Sequence, residues 1–413
     1  MTAAPRPPRV FYGWVLAWML GPTQLVSWGI LYYAFSVVMP LMRAEMGWSA
    51  AESSAAFSIA MLASGLAAVP AGRWLDARGP RRLMTVGSIL AVALVAAWSQ
   101  VTSLLALYAV WACLGAVMAT VLYDPAFWVM ARWFSRKRAR ALTLVTFWGG
   151  LASTVFIPLT DALVRAWGWR SALLAEAVIL ALCTILPHAL LLRRLPDEMG
   201  QLVDGEPAAY LAGTPAPPSK PLGAAVRDRA FALLAAAFGL TSLLSAAMSV
   251  HLISYEISRG QSPALVAAAA GAVGVMQVVG RLTFAPLAGR LSPKIVTAAM
   301  CVFAAVAVLA LVGLPALEGL IVYVLLYGMG HGALTPLRAS LVADTFGTAA
   351  YGSVNGALSL VATLARAAAP VAVGAFVTLT GTYVPALLAL AICAFIAAGA
   401  VLFLREGGKS NHG

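Results

Sequence analysis

Twelve long apolar runs divide the chain, at approximately 11–39, 53–75, 83–99, 103–130, 140–161, 171–191, 230–257, 264–289, 295–314, 318–342, 353–377 and 383–404. A helix needs about 20 mostly apolar residues to cross a hydrocarbon core of roughly 30 Å. In lipid only helices or closed barrels satisfy the backbone, and these runs are too long and too evenly apolar for barrel strands. The chain is therefore expected to be an all-α membrane protein of twelve transmembrane helices. Prolines within the runs, such as Pro22, Pro70, Pro125, Pro158, Pro286, Pro336 and Pro370, fit membrane helices. The first run exceeds a signal-peptide core and lacks a clean small-residue cleavage site, so it is read as the first helix.

Charge agrees with this reading. Of 413 residues, 62% are hydrophobic and 10% charged, against about a quarter charged in soluble domains. A net charge of +12 does not point to nucleic acid, because the basic residues form short clusters between apolar runs rather than one face. With the N-terminus placed in the cytoplasm, 20 of the 27 Lys and Arg fall on that side, and only Arg43, Arg165, Arg170 and Arg259 fall outside. This bias predicts cytoplasmic N- and C-termini. The four cysteines, Cys113, Cys183, Cys301 and Cys393, are widely spaced within the runs and read as free thiols. No nucleotide-binding loop, nucleophile elbow or metal-ligand spacing is present, so neither an enzyme nor a bound metal or cofactor is expected.

The chain repeats itself. "ARWFSRKRARAL" opens the fifth run, and "ADTFGTAAYGSV" opens the eleventh about 212 residues later; Phe134 matches Phe346, and Pro158 matches Pro370. "AGRW" at 71–74 is echoed by "AGRL" at 288–291. The expected organisation is a six-helix half at 1–192, a polar, proline-rich cytoplasmic linker at 193–229, and a second six-helix half at 230–413. Internal repeats of this kind place a binding site near the midplane, between halves that rock about it.

"GRWLDARGPRR" at 72–82 concentrates five Arg or Asp residues in eleven. Positive-inside topology accounts for its arginines but not for Asp76, Gly72 or Gly79. The stretch resembles the signature between the second and third helices of the major facilitator superfamily. That resemblance spans the chain and implies a gating role for Gly72, Asp76, Arg78, Gly79 and Arg82. In the family this aspartate and these arginines latch the cytoplasmic ends of helices from both halves, with the eleventh helix as the neighbour of Asp76. "FYGWVLAW", "MGWSAAESSAAFS", "ARWFSRKRARA" and "GWRSA" further resemble bacterial members of the monocarboxylate transporter and oxalate/formate antiporter group. This implies a monomeric secondary active transporter in the bacterial plasma (inner) membrane that moves a small organic anion. It also implies that Arg281 binds the carboxylate. The animal carriers have an aspartate where this chain has Gln277, and the second cation of the oxalate antiporters matches Arg366 only about one turn out of register. An exporter of the same fold and an anion exchanger without proton coupling remain the alternatives.

The residues make an independent case. A charge within a membrane helix costs several kcal/mol and marks a functional site by default. Away from the ends of the runs, the only Lys or Arg residues are Arg281, Arg338 and Arg366. Arg281 lies nine residues before Arg290, about 13 Å along a helix, and so near the midplane. Arg338, six residues before Asp344, is expected to extend toward the cytoplasmic interface. Asp124, eight residues before Arg132 and about 12 Å deep, is the proton-coupling candidate; pairing with a nearby arginine, or with backbone loosened by Pro125, is the competing role. His331, Tyr32, Tyr33, Tyr123 and Gln277 supply hydrogen-bonding groups for a substrate site. One sequence does not say which of Tyr32 and Tyr33 faces inward. Glu176, Glu256 and Asp161 are expected to be solvated near the outer ends.

Overall fold

A computed structural model describes residues 11–192, 195–199, 201–205, 220–284, 287 and 291–404. Twelve long helices follow one another: α1 Tyr12–Met46, α2 Ala50–Arg78, α3 Pro80–Trp98, α4 Leu104–Trp133, α5 138–167, α6 169–191, α7 Arg229–Ser258, α8 Pro263–Thr283, α9 Pro293–Gly313, α10 Ala316–Phe346, α11 Tyr351–Thr380 and α12 Val384–Leu402. The stretch 138–191 runs almost without interruption, and only Gly168 (φ 76°, ψ 162°) separates α5 from α6. Its repeat counterpart Gly381 (φ 71°) ends α11 in the same half of φ space.

Local chemistry sets the boundaries. Ser49 caps α2: its Oγ accepts from Glu52 N (3.2 Å), and Glu52 Oε2 accepts from Ser49 N (2.9 Å), a reciprocal capping box. Pro80, Pro263 and Pro293 occupy first-turn positions, where a missing N–H costs nothing.

Three helices depart from regular winding near their middles; in α6 residues Ala181–Ile185 form a π-helical turn. In α1, residues Gly29–Tyr33 form a π-helical turn. In α4, Leu122 (φ −80°, ψ −153°) breaks the helix just before Tyr123–Asp124–Pro125. Gln24 Nε2 of α1 donates to the Val121 carbonyl freed by that break (2.8 Å). Irregular backbone at membrane depth is tolerated where protein or a water-filled cavity satisfies it.

Helices α1–α6 and α7–α12 each enclose apolar clusters; a third cluster joins both sets near the basic loops, around Trp128, Trp133, Phe134, Phe346 and Tyr351. The sets meet where α2 packs on α11, α5 on α8 and α10, and α4 on α10 and α11.

Several expectations need correction. Arg338 does not extend toward the interface; it turns sideways onto α11 (Nη2 to Ser359 Oγ, 2.5 Å). Glu176 and Glu256 are fully buried rather than solvated. Thr160 Oγ1 donates to Glu176 (2.5 Å), while Glu256 sits beside Arg259 (3.7 Å). Helix α8 is described only to Thr283, so the 264–289 span is shortened there. The second motif copy at Gly289 and Arg290, most of the linker, and the terminal basic residues Arg6, Arg9, Arg405 and Lys409 lie outside the described residues.

Candidate functional site

The end carrying the 72–82 loop is closed by α2 against α11. Gly72 lies so near the Gly352 carbonyl that a Cβ there would overlap it; a Cβ at Gly65 would come within 2.8 Å of the Thr363 side chain, and one at Gly356 would overlap the Ala68 carbonyl. Small residues at this helical spacing let two backbones touch. Gly79 has φ 73° and ψ 177°, a region open essentially to glycine alone. It turns the chain from α2 directly into Pro80. Both glycines of the motif therefore have a backbone reason.

Asp76 sits at the N-terminus of α11. Its Oδ1 accepts from Gly352 N (2.9 Å), and its Oδ2 accepts from Ser353 N (2.7 Å) and Ser353 Oγ (2.6 Å). Trp128 Nε1 of α4 donates to Oδ1 (2.9 Å). A carboxylate here meets orphan N–H groups and the positive end of the helix dipole together. The motif arginines do not share this contact. Arg78 lies exposed over the Trp74 ring (4.5 Å), Arg81 donates to the Ala189 carbonyl (2.8 Å), and Arg82 is exposed. The arginine facing Asp76 electrostatically is Arg132, stacked over Trp128 (5.0 Å). An ion pair from Arg138 Nη1 of α5 to Asp344 of α10 (2.5 Å) joins the sets nearby.

One level deeper, Asp124 begins the second segment of α4. Asn355 Nδ2 donates to its Oδ1 (2.9 Å) and Ser359 Oγ to its Oδ2 (2.8 Å), both from α11. Arg338 Nη2 of α10 donates to Ser359 Oγ (2.5 Å) and Asn355 Oδ1 (3.2 Å). Asn355 and Ser359 were not singled out from sequence. The signal was there: Gly352, Asn355, Gly356, Ser359 and Thr363 recur every three or four residues as one small-and-polar stripe.

Above this level, polar and charged side chains of both sets gather around the space between them. Arg281 of α8 is 8% exposed. Its Nη1 donates to the Thr146 carbonyl of α5 (2.9 Å) and its Nε to the Gly332 carbonyl of α10 (3.2 Å). The guanidinium rests on Gly150, where any Cβ would displace it, and Gly149 likewise makes room for the Tyr123 hydroxyl. Thr146 lies about 12 Å into α5 by helical rise, which places Arg281 deep in the protein although its own helix is described only two residues further. Arg366, three residues beyond Thr363, is exposed and has a 3.5 Å bond to Thr363 Oγ1. Charged and polar groups of both sets surround it: Tyr32, Asp124, Arg338 and His331 lie within its electrostatic reach. An exposed arginine so placed faces a water-accessible cavity rather than lipid.

The π turn of α1 resolves the tyrosine question. It inserts one extra residue into the helical turn, and both consecutive phenols face inward. Tyr33 lies near Arg281 and Ser153, Tyr32 near Arg366. Tyr123 packs against Trp28 (5.0 Å) within reach of Arg281. His331 caps a stack with Tyr327 and Tyr323 along α10 and meets Ser245 Oγ at 3.4 Å. Gln277 is half-buried one turn before Arg281. Two guanidinium groups flanked by phenols can hold a small anion by charge-assisted hydrogen bonds.

Comparison with known proteins follows the same lines. The family model for the Major Facilitator Superfamily matches residues 25–370 and 260–412. Human monocarboxylate transporter 11 is 29% identical over 388 residues, covering 88% of this chain and 77% of that protein. Bovine monocarboxylate transporter 13 is 25% identical over 416 residues, covering 97% and 89%. Among solved structures, FucP in the outward conformation superposes with a TM-score of 0.74 at 14% identity, covering 95% and 99%. The human organic anion transporter MFSD10 superposes with a TM-score of 0.71 at 16% identity, covering 95% and 100%.

Proposed function

The chain belongs to the Major Facilitator Superfamily, a family of membrane transporters rather than enzymes, and from that premise we propose that it carries a small mono- or dicarboxylate by alternating access. One observation carries this reading. Among the described residues, the mid-helix charges around the cavity are Arg281, Arg338 and Arg366 against the single carboxylate of Asp124. The cavity thus holds two more cations than anions, and an anionic cargo balances it. Relatives described as monocarboxylate transporters and an organic anion transporter of the same fold support the reading.

The carboxylate meets the Arg366 guanidinium first, because Arg366 is the exposed cation. It then competes with the Thr146 and Gly332 carbonyls for Arg281. An incoming carboxylate satisfies the Arg281 fork better than a neutral carbonyl does. That exchange draws Arg281 away from α5 and so loosens a contact between the two sets of helices. Tyr32, Tyr33, Tyr123, His331 and Gln277 orient the cargo. With one cation engaged the site suits a monocarboxylate; with both it suits a dicarboxylate. The excess of Lys and Arg in the loops on one side supports cytoplasmic termini, and a monomer in the plasma (inner) membrane belongs to the same reading.

The test is thermal stabilisation of purified protein by a panel of carboxylates. Wild type should be stabilised by at least one anion. Arg281→Lys should lose most of the shift, since an ammonium does not reproduce a bidentate fork. Arg366→Ala should abolish any preference for dicarboxylates. If no anion stabilises wild type, or one shifts all three proteins alike, the anion reading fails and an exporter of neutral or cationic compounds takes its place.

A further inference from the structure

We propose that a groove on the outer face of α2, α3 and α4 binds an anionic phospholipid, with an acyl chain along the groove and the phosphate held by Arg82 and Arg78. The site belongs to the leaflet on the basic side and is independent of the cargo.

The starting point is the fate of the motif arginines. Asp76 and Gly72 serve the clasp with α11, Gly79 turns the chain, and Arg81 donates to the Ala189 carbonyl. Arg78 and Arg82 share none of these tasks. Both are exposed, and neither has a hydrogen-bond or ion-pair partner among the described residues.

Arg82, in the first turn of α3, stands at the rim of a groove of about 340 Å³. Its walls are mainly Trp74 of α2, Leu83, Val86 and Leu90 of α3, and Val117 of α4. From Arg82 to Leu90 it follows α3 for about 12 Å by helical rise, from the basic end toward mid-membrane. A Cβ at Gly87 would overlap Thr120 Oγ1, so α3 and α4 approach closely beneath the groove. The Thr120 hydroxyl donates to the Val117 carbonyl (2.7 Å), which leaves the floor without a free polar group. Val86 and Leu90 stay 54% and 48% exposed on this surface. In a membrane span, hydrocarbon chains fill such a furrow, because an empty one forfeits dispersion contacts.

Charge selects the headgroup. Arg78 lies over the Trp74 ring (4.5 Å), which brings a second guanidinium to the same end. The nearby acids leave the pair uncompensated. Asp76 is engaged by α11 and Trp128, and Glu198 borders the neighbouring cavity, which Arg78 and Arg81 line and Arg82 does not. An arginine can lay its aliphatic stem along an apolar wall and hold its head at the membrane surface. There it meets phosphate oxygens in charge-assisted hydrogen bonds. A zwitterionic headgroup cancels its phosphate with its own cation, so basic side chains beside a membrane helix favour an anionic lipid.

Lipids brominated on their chains, which quench tryptophan on contact, test the site in the full-length protein reconstituted in phosphatidylcholine vesicles. The quenching that Trp74→Phe removes is the Trp74 signal. Brominated phosphatidylglycerol should quench wild-type Trp74 at a mole fraction at least fivefold lower than brominated phosphatidylcholine. Arg82→Gln should cut that preference about fivefold, and adding Arg78→Gln should remove the remainder. Arg82→Lys should keep most of it, because phosphate also accepts a point charge. Val86→Phe, which fills the groove and spares both arginines, should weaken Trp74 quenching by either lipid. Equal quenching by the two lipids in wild type, a preference that survives the double arginine variant, or a Trp74 signal indifferent to Val86→Phe overturns the proposal. So does an equal loss in Arg165→Gln, whose exposed arginine lies at the opposite end, since bulk charge would then explain the effect. Excess inorganic phosphate should not compete, having no chain for the groove; full displacement by it would mark a free-anion site and overturn the lipid assignment. None of these outcomes depends on the carboxylate panel, so this site and the anion reading fail separately.

Discussion

Asp76 and Asp124 invite comparison, because both belong to the first six helices and both end on α11. Asp76 accepts from backbone N–H groups at the helix N-terminus and from the adjacent Ser353 hydroxyl. Asp124 accepts only from side chains, Asn355 and Ser359, which are themselves held by Arg338. The backbone donors are fixed in polarity and always present once α11 is wound. Side-chain relays depend on the charge state at each end. The first contact is a clasp made by the end of the helix, and the second a bridge made by side chains on its face. The lesson is that one helix can serve both tasks by offering its N-terminus to one acid and its polar stripe to another.

The strongest way to break the clasp is steric. Gly72→Val should drive a branched side chain into the Gly352 backbone, at an overpacking cost of about 1–3 kcal/mol. The closed basic end should lose population by about tenfold or more, seen as longer distances between spin labels on cysteines introduced at exposed Ala77 and Ala349; an unchanged distribution would show that α2 and α11 have room to spare. Next in size is Asp76→Asn. Removing a charge from a helix N-terminus costs about 1–2 kcal/mol. Opening should rise roughly tenfold, measured as labelling rates of introduced cysteines from the basic side. A third pair separates the two sites more finely. Ser353→Ala and Ser359→Ala each delete one hydroxyl, worth about 1 kcal/mol, so both should loosen the basic end about fivefold. Asn355→Ala added to Ser359→Ala should remove the remaining α11 bond to Asp124 and raise opening again, whereas Asp76 keeps its backbone donors in Ser353→Ala; no further rise in the double variant would erase the distinction between helix end and helix face. The smallest effect lies outside both. Buried Asp204 in the linker accepts from the backbone N–H groups of Ser135, Arg136 and Lys137 (2.8–3.2 Å). Asp204→Asn should weaken that attachment by about 1 kcal/mol and speed proteolysis of the linker, leaving the spin-label distance unchanged.

Much of the fold is legible in the sequence because the lipid solvent is so demanding. Twelve apolar runs, two echoing halves and a biased distribution of Lys and Arg leave few architectures open, and the family motif at 72–82 marks the clasp. The cavity cations Arg281 and Arg366 are legible for the same reason, since a charge within an apolar run stands out. The polar partners of Asp124 are not. Asn355 and Ser359 look like ordinary small polar residues of a membrane helix, and Arg338 looks like a side chain close enough to the surface to reach water. The buried state of Glu176 is equally invisible, because it depends on Thr160 of the neighbouring helix.

The sequence by itself determined which segments are apolar enough to cross the membrane and where the chain turns; the neighbourhood of α2 and α11 was implied only by the family resemblance of the 72–82 stretch. Hydropathy, proline and glycine act within a few residues of themselves, and their consequences can be read locally. Tertiary structure alone decided which acid meets which donor. Asp124 and Ser359 are separated by 235 residues, and their 2.8 Å contact depends on the crossing of α4, broken at Leu122, with α11. It decided too that both Tyr32 and Tyr33 face the cavity, because a π turn stabilised by packing shifts the side chains by a residue that no helical periodicity anticipates. Hydrogen bonds and ion pairs have a reach of only about 3–4 Å, so their partners are set by the fold as a whole rather than by the neighbours each residue has in the chain.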